Sequence, residues 1–171
     1  MRDEFGIAFS RGLLFLSRVP KGFLIRNWLP AIAWMIFIFI GSTSVLSAQH
    51  TSRIIVPFLR WINPGISEDT IRTVQTTIRK TGHVSEYSVL ALLILWARRR
   101  DRRPSGATVG WNWSDAILAL VVAAAYAGTD EFHQSFVPGR EASVWDVLID
   151  TVGAGAGIFL LWFLSRWRKK E

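Results

Sequence analysis

The sequence contains no cysteine, which excludes disulfide bonds and thiol chemistry. It also lacks a nucleophilic-serine elbow, a phosphate-binding loop and the His-Glu-x-x-His pattern of metalloproteases. Neither an internal repeat nor a low-complexity tract is visible. Acidic residues are few, with 13 Asp plus Glu against 20 Lys plus Arg. Because no local catalytic motif is present, any chemistry must come from residues that the fold brings together.

What the chain has in abundance is apolar side chains. Half of its 171 residues are hydrophobic, and they include 9 Trp and 11 Phe. A basic surplus can indicate nucleic-acid binding, but here the basic residues form short clusters beside apolar runs. Juxtamembrane Lys and Arg orient membrane helices and attract anionic lipid. The composition therefore favours a membrane protein with one domain, residues 1–171, that does not bind nucleic acid.

Four apolar segments predict helices that cross a membrane, at about residues 28–47, 78–97, 116–137 and 144–165. The second is short for a span, so its helix is expected to begin before Lys80. Residues 67–69 have the composition of a helix start. Pro30 is expected in the first turn of the first span, where its missing N–H costs least. The predicted fold is all-α, a bundle of four transmembrane helices with short interfacial helices at residues 5–18 and 54–62.

The distribution of basic residues predicts the topology. Fourteen of the 20 fall on one side of the four-helix arrangement: before residue 28, in the run 98–103, and after residue 165. The run 98–103 opens a basic linker that extends to residue 110. The positive-inside rule then places both termini in the cytoplasm.

Three segments, residues 80–87, 129–134 and 146–150, place ionisable residues at one end of an apolar run. Threading the predicted spans brings all three to the outer leaflet. A charge in hydrocarbon costs at least ~2.5–3.5 kcal/mol, so clustered charges there need a partner, a wet cavity or a function. The cluster is therefore either a buried network that fastens the helices or a functional site.

Helical spacing groups these residues, because residues three or four apart share a face. The resulting faces contain Lys80, His83, Glu86 and Tyr87 on the second span, and Asp130, His133 and Gln134 on the third. Glu131 is expected to face a different neighbour. On the fourth span, Asp146, Asp150 and Gly153 form a stripe that continues into the small residues 153–157. Such a surface lets another helix approach closely.

The predicted cluster has an excess of acid. Five carboxylates, two permanent cations and two histidines would meet: Glu86, Asp130, Glu131, Asp146 and Asp150, with Lys80 and Arg140, and with His83 and His133. Five close carboxylates cannot all ionise cheaply, so some hold protons or a cation lies among them. Because Lys80 and Arg140 already supply positive charge, we expect salt bridges of Arg140 with Glu131 or Asp146. No tightly bound metal and no other cofactor is expected.

These residues resemble the VanZ-like family of small bacterial membrane proteins over residues 28–164. The family's Lys-x-x-His-x-x-x-Tyr segment is matched by Lys80, His83 and Tyr87. Its Asp-Glu-x-x-Gln-x-Phe-x-Pro-Gly-Arg segment is matched by Asp130, Glu131, Gln134, Phe136, Pro138, Gly139 and Arg140. Asp146 and Gly153 fit its last motif, and the Ser-rich residues 42–44 also fit. Asp150 departs from the family, which more often has Asn there, and so does Arg79, where Asp is common.

The resemblance implies a role in the cell envelope, since the family name comes from a protein associated with resistance to the glycopeptide teicoplanin. It does not supply a reaction. Three functions therefore stay open: binding or modification of an envelope lipid or lipid-linked precursor, intramembrane hydrolysis or transfer on a lipid-linked phosphate or glycan, and cation- or proton-coupled transport. The absence of inverted repeats counts against transport.

For binding, the candidate residues are Lys80, His83, Tyr87, Asp130, Glu131, Gln134, Arg140, Asp146 and Asp150. Lys80 and Arg140 would hold an anionic head group. For catalysis, the candidates are His83, Asp130, Glu131, His133 and Asp146, with a histidine as general base. Whether the protein is an enzyme is not decided by the sequence.

Overall fold

The computed structural model describes residues 21–43, 48–102, 110–137 and 142–167. Within these ranges the chain forms five α-helices and no β-strand. In chain order they are α1 (Lys21–Ser42), α2 (Ala48–Ile62), α3 (Glu68–Asp101), α4 (Trp113–Gln134) and α5 (Val144–Trp167). The all-α prediction is confirmed for this part of the chain.

Helix α3 lies at the centre and packs against all four other helices. Its buried side chains Tyr87, Leu90 and Ile94 belong to one apolar core shared with α1, α4 and α5. On α4 the core face is an alanine stripe of Ala119, Ala123 and Ala127, at intervals of four. Helix α5 packs on α3 and α4, whereas α1 packs on α3 and less extensively on α4. Helices α1 and α5 do not contact each other in the described residues.

Helices α3 and α5 cross at very short range, as the small residues 153–157 predicted. A Cβ atom built on Gly153 would lie 2.7 Å from the carbonyl oxygen of Val84 and 2.9 Å from its Cα. A Cβ on Gly157 would lie 3.1 Å from the Cβ of Ser88. The Ser88 hydroxyl donates to the carbonyl oxygen of Gly153 at 2.6 Å, which ties the two helices at their closest point. Glycine at 153 is therefore a packing requirement.

The start of α3 agrees with its sequence signal. Ser67 caps the helix, and its hydroxyl accepts a hydrogen bond from the backbone N–H of Thr70 at 3.2 Å. The helix begins before Lys80, as predicted, and it continues to Asp101. The first residues of the predicted basic linker therefore belong to a helix.

The predicted position of Pro30 was wrong. Helix α1 begins at Lys21 and ends at Ser42, so Pro30 lies inside the helix rather than in its first turn. The polar residues before the apolar run are helical because Asp101 anchors them to α3. Its Oδ1 accepts from Asn27 Nδ2 at 2.9 Å, and its Oδ2 accepts from Trp28 Nε1 at 2.7 Å. Tertiary contacts thus extend α1 beyond its hydrophobic segment.

Among the described residues, α5 is the one helix whose length and apolar composition suit a membrane crossing. The predicted four-span bundle therefore stays a prediction. The segment 54–62 lies within α2, where Ile54, Phe58 and Trp61 are exposed, as an interfacial helix requires. The other predicted interfacial segment, residues 5–18, lies outside the described residues.

Candidate functional site

Three helices meet at the carboxylate of Asp130, near the end of α4. Its Oδ2 accepts hydrogen bonds from Gln134 Nε2 at 2.9 Å, from Ser42 Oγ at 2.8 Å and from Tyr87 OH at 3.3 Å. Asp130 is buried, and its Oδ1 has no hydrogen-bond partner among the described residues. Because Ser42 belongs to α1 and Tyr87 to α3, this single carboxylate joins α1, α3 and α4. The predicted pairing of Asp130 with Gln134 is confirmed.

A second buried carboxylate, Asp150 on α5, faces His83 on α3. The Nδ1 of His83 lies 3.5 Å from Oδ2 of Asp150, and Asp150 is 1% exposed. Neither oxygen of Asp150 has a hydrogen-bond partner in the part of the chain that the structure describes. His83 and Tyr87 are one helical turn apart, so the carboxylates that they face form one group. We call Ser42, His83, Tyr87, Asp130, Gln134 and Asp150 the polar cluster.

Lys80 and Asp146 form the rim of the polar cluster. The Nζ of Lys80 lies 3.6 Å from Oδ1 of Asp146, and the side chains are 45% and 23% exposed. The predicted salt bridge between Asp146 and Arg140 is not tested, because Arg140 lies outside the described residues together with its neighbours 138, 139 and 141. In the described structure it is Lys80 that pairs with Asp146. Lys80 and Asp146 thus place an exposed ion pair beside the buried carboxylates.

Glu131 faces away from Asp130, as its position in the helix predicted. Its Oε2 accepts a hydrogen bond from the backbone N–H of Ser143 at 3.0 Å. Ser143 immediately precedes α5, so Glu131 fixes the start of that helix relative to the end of α4. This contact indicates a structural contribution from Glu131, which is itself 5% exposed.

His133 does not join the polar cluster, and its predicted pairing with Asp130 was wrong. The imidazole packs on the ring of Phe39 with centroids 4.4 Å apart. Its Nδ1 is buried without a hydrogen-bond partner in the described ranges. Gln134, one residue on, reaches Asp130 instead, because the rotation of α4 turns His133 towards α1. Glu86 contributes its backbone carbonyl, which accepts from Trp34 Nε1 at 2.9 Å.

No three histidine, cysteine or acidic side chains of residues 21–43, 48–102, 110–137 and 142–167 are grouped so as to hold a metal ion. The expected absence of a bound metal stays a prediction.

Two hydrogen bonds that join α1 to α3 and to α4 near the polar cluster were not predicted from the sequence. Trp34 reaches the carbonyl of Glu86, and Tyr126 OH donates to the carbonyl of Met35 at 2.6 Å. Ser42 was noted only as part of a Ser-rich stretch. The sequence signal for these two bonds was the presence of Trp and Tyr in apolar helices. Their N–H and O–H groups usually donate to an acceptor when they are buried.

A second polar network at the opposite end of the bundle was also not predicted. Asp115, in the first turn of α4, is 2% exposed and forms ion pairs with Arg98 of α3 and with Arg102, which caps the end of α3. Its Oδ1 lies 3.5 Å from Arg98 Nε. We call this region, with Asp101 and the arginines 98–102, the basic end. The sequence did contain a signal for this network. Asp115 lies at the start of one helix, and the arginines within residues 98–102 lie at the end of the preceding, antiparallel helix.

The polar cluster offers acceptors that lack donors. Asp130 Oδ1 and both Asp150 oxygens are buried without a hydrogen-bond partner within the described structure, and His83 Nδ1 approaches Asp150 Oδ2 only to 3.5 Å. An unsatisfied buried polar group costs ~1–3 kcal/mol, and more when it is charged. The cluster therefore favours partners that donate hydrogen bonds, such as hydroxyl groups, amines or water. His83 beside Asp150 adds an imidazole that can donate to or accept from such a partner.

Comparison with known proteins identifies the same family as the sequence motifs. The family model VanZ/LLP1 matches residues 27–165, which includes every residue of the polar cluster. No curated protein matches the chain, and no solved structure matches it either. Family membership and the apolar helix α5 together indicate a membrane protein. The match spans most of the sequence, and the chain belongs to the VanZ/LLP1 family.

Proposed function

We propose that α1, α3, α4 and α5 span the bacterial inner membrane, with both termini in the cytoplasm. Each of these helices has at least 22 residues, which at ~1.5 Å per residue exceeds ~30 Å of hydrocarbon. The positive-inside rule then directs the basic end towards the cytoplasm. In this arrangement the polar cluster lies near the outer leaflet.

The function that we propose is binding of a cell-envelope lipid or lipid-linked cell-wall precursor at the polar cluster. The observation that carries it is the set of buried carboxylate oxygens, on Asp130 and Asp150, that have no hydrogen-bond partner among the described residues. The hydroxyl and amide groups of a glycan supply such donors. Lys80, 45% exposed at the rim, supplies a cation for a phosphate. Family membership supports a link to the envelope or antibiotic resistance in general, and precursor binding would extend it to teicoplanin susceptibility.

The competing explanation for the polar cluster is a hydrogen-bond network that only holds the helices together. Asp130 and Asp150 differ in how well they fit this explanation. Asp130 Oδ2 has three donors from three helices, which is the pattern of structural support. Asp150 has only the ion-pair contact with His83 at 3.5 Å in the described structure, although it is as deeply buried. We therefore assign positioning mainly to Asp130, and ligand contact mainly to Asp150.

The test replaces Asp150 by Asn and uses Asp115→Asn as the matched control, since both acids are nearly fully buried. The probes are a polyprenyl-diphosphate-linked disaccharide and the corresponding polyprenyl phosphate without sugar. A hydrogen bond to a charged group contributes ~1.5–3 kcal/mol, so Asp150→Asn should weaken disaccharide-lipid binding about 10- to 100-fold. Its thermal stability in detergent should change little, because Asn keeps the shape of Asp and its side-chain carbonyl can still accept from His83.

Asp115→Asn should show the opposite pattern, with lower thermal stability and unchanged affinity for the disaccharide lipid. If Asp150→Asn lowers stability and leaves affinity at the wild-type value, the polar cluster is structural support. Equal binding of the sugar-free lipid and the disaccharide lipid would show that the carboxylates do not recognise the glycan.

A hydrolase or transferase acting on a lipid-linked phosphate or glycan is the second candidate. The contact of His83 with the buried carboxylate of Asp150 favours it, because an acid that orients a histidine is the arrangement of a general base. Release of phosphate or sugar from the same two lipids would be measured with wild type and His83→Gln. Turnover by wild type that His83→Gln abolishes would establish the enzyme, whereas binding without turnover supports the binding function.

A further inference from the structure

An apolar groove runs along the outside of the bundle between α1 and α5. These two helices do not touch within the described residues, so part of α3 between them stays uncovered. One section of the groove has a volume of 420 Å³ and is lined by Pro30, Val89, Leu92, Leu93, Trp96 and Leu161. An adjoining section of 340 Å³ shares Leu92 and Leu161 and continues along α5 past Gly157. Ligand pockets commonly measure about 300–1,000 Å³, so either section can hold a ligand.

One end of the groove approaches the basic end of the bundle. Pro30 lies three residues after Asn27, and Trp96 lies five residues before Asp101. Asn27 and Asp101 are hydrogen-bonded to each other. The other end reaches Ser88, which follows Tyr87 of the polar cluster, but the groove contains no residue of that cluster and its mostly apolar lining does not suit a hydroxyl-rich head group.

Cationic side chains lie at the end of the groove that Trp96 marks. The guanidinium carbon of Arg100 lies 5.2 Å from the centroid of the Trp96 ring, and both side chains are exposed. Arg26, also exposed, lies one helical turn before Pro30 on α1. An apolar slot with Arg100 at one end, and with Arg26 one helical turn before its lining residue Pro30, combines the two features that bind an anionic lipid: burial of an acyl chain and attraction of its phosphate.

We propose that the groove between α1 and α5 is a binding site for an anionic phospholipid of the leaflet at the basic end. One acyl chain occupies the groove, and Arg100 and Arg26 attract the phosphate head group. Val121, on an exposed face of α4, lines neither section of the groove. This inference uses the same membrane placement as the proposed function, but it concerns a different ligand at the opposite end of the bundle.

The groove is tested by filling it. The substitution Val89→Trp places an indole in the lining, and Val121→Trp places one on an exposed face of α4 as the matched control. Phosphatidylglycerol retained by the full chain after detergent exchange is measured by native mass spectrometry. A buried methylene contributes ~0.8 kcal/mol, so displacement of two methylenes weakens retention about tenfold. Val121→Trp should retain the lipid as wild type does, and equal retention by the two variants overturns the proposal.

The head group is tested by comparing phosphatidylglycerol with phosphatidylcholine of the same acyl chains. Wild type should prefer the anionic lipid, and Arg100→Gln should reduce that preference about fivefold, the effect of one juxtamembrane cation. Arg72→Gln, an exposed arginine in the first half of α3, is the control and should leave it unchanged. Equal retention of both lipids by wild type overturns the proposal.

Because Arg100 is exposed, its variant tests the proposal even if Val89→Trp does not fold. Binding of the disaccharide lipid at the polar cluster is measured on the same samples. Wild type that binds the disaccharide lipid but shows no preference for phosphatidylglycerol refutes the groove site alone. The reverse result refutes the precursor site alone.

Discussion

The contact between Gly153 and Val84 predicts a graded response to alanine along α5. A Cβ at position 153 would meet the backbone oxygen of Val84 at 2.7 Å, and a backbone atom cannot rotate away as a side chain can. At position 157 the corresponding Cβ contact, with Ser88, is 3.1 Å. At position 155 the nearest atom is the flexible end of Leu120 at 3.9 Å, an ordinary van der Waals distance.

The magnitude follows from two opposing effects. Inserting a methyl group into a close-packed contact costs ~1–3 kcal/mol, whereas replacing glycine by alanine within a helix contributes up to ~1 kcal/mol of stability. Gly153→Ala should therefore lower the free energy of unfolding by up to ~2 kcal/mol. Gly155→Ala should raise it by ~0.5–1 kcal/mol, since only the helix effect remains. Gly157→Ala should fall between them.

The assay is thermal unfolding of the three purified variants in one detergent, together with their affinity for the disaccharide lipid. His83 immediately precedes Val84, and Asp150 lies one turn before Gly153, so separating the helices also separates His83 from Asp150. Gly153→Ala should therefore weaken binding as well, and Gly155→Ala should not. Gly153→Ala and Gly155→Ala proteins of equal stability would refute the close-contact argument.

Further predictions concern topology and support of the buried acid. Reporter fusions after Gly106 and after Glu171 should both report the cytoplasm, and a periplasmic signal from either would contradict the four-span arrangement. Ser42→Ala removes one donor from Asp130 and should lower the free energy of unfolding by ~1–3 kcal/mol. Thr43→Ala is the control, because its hydroxyl only donates to a carbonyl of its own helix turn; equal losses would exclude a special role for Ser42.

The sequence was sufficient to predict which segments meet, because helix order and short connections determine which ends lie together. The prediction that residues 80–87, 129–134 and 146–150 converge agrees with the described contacts of His83, Tyr87 and Asp130. The Gly153 contact was predictable for a similar reason, since small residues beside an acidic stripe have few other uses in a membrane helix.

Individual pairings could not be predicted, because they depend on rotations of tens of degrees about each helix axis. Spacing alone placed His133 and Gln134 equally well beside Asp130, and the structure selects Gln134. The extent of α1 was missed for another reason: Asn27 and Trp28 are held in the helix by Asp101, 73 or 74 positions away in sequence. A local hydrophobic pattern cannot predict contacts between residues so far apart in the sequence.

The length of α3 has a mechanical consequence. This uninterrupted helix of 34 residues carries His83 and Tyr87 in its middle and Arg98 and Asp101 at its end. At ~1.5 Å per residue, His83 and Asp101 are separated by about 27 Å along a single stiff rod. A turn of that rod about its axis, driven by a molecule docking at His83, would also swing Asp101 past its partners on α1. In the proposed four-span arrangement, an event near the outer leaflet would thus reach the basic end as torque carried by α3.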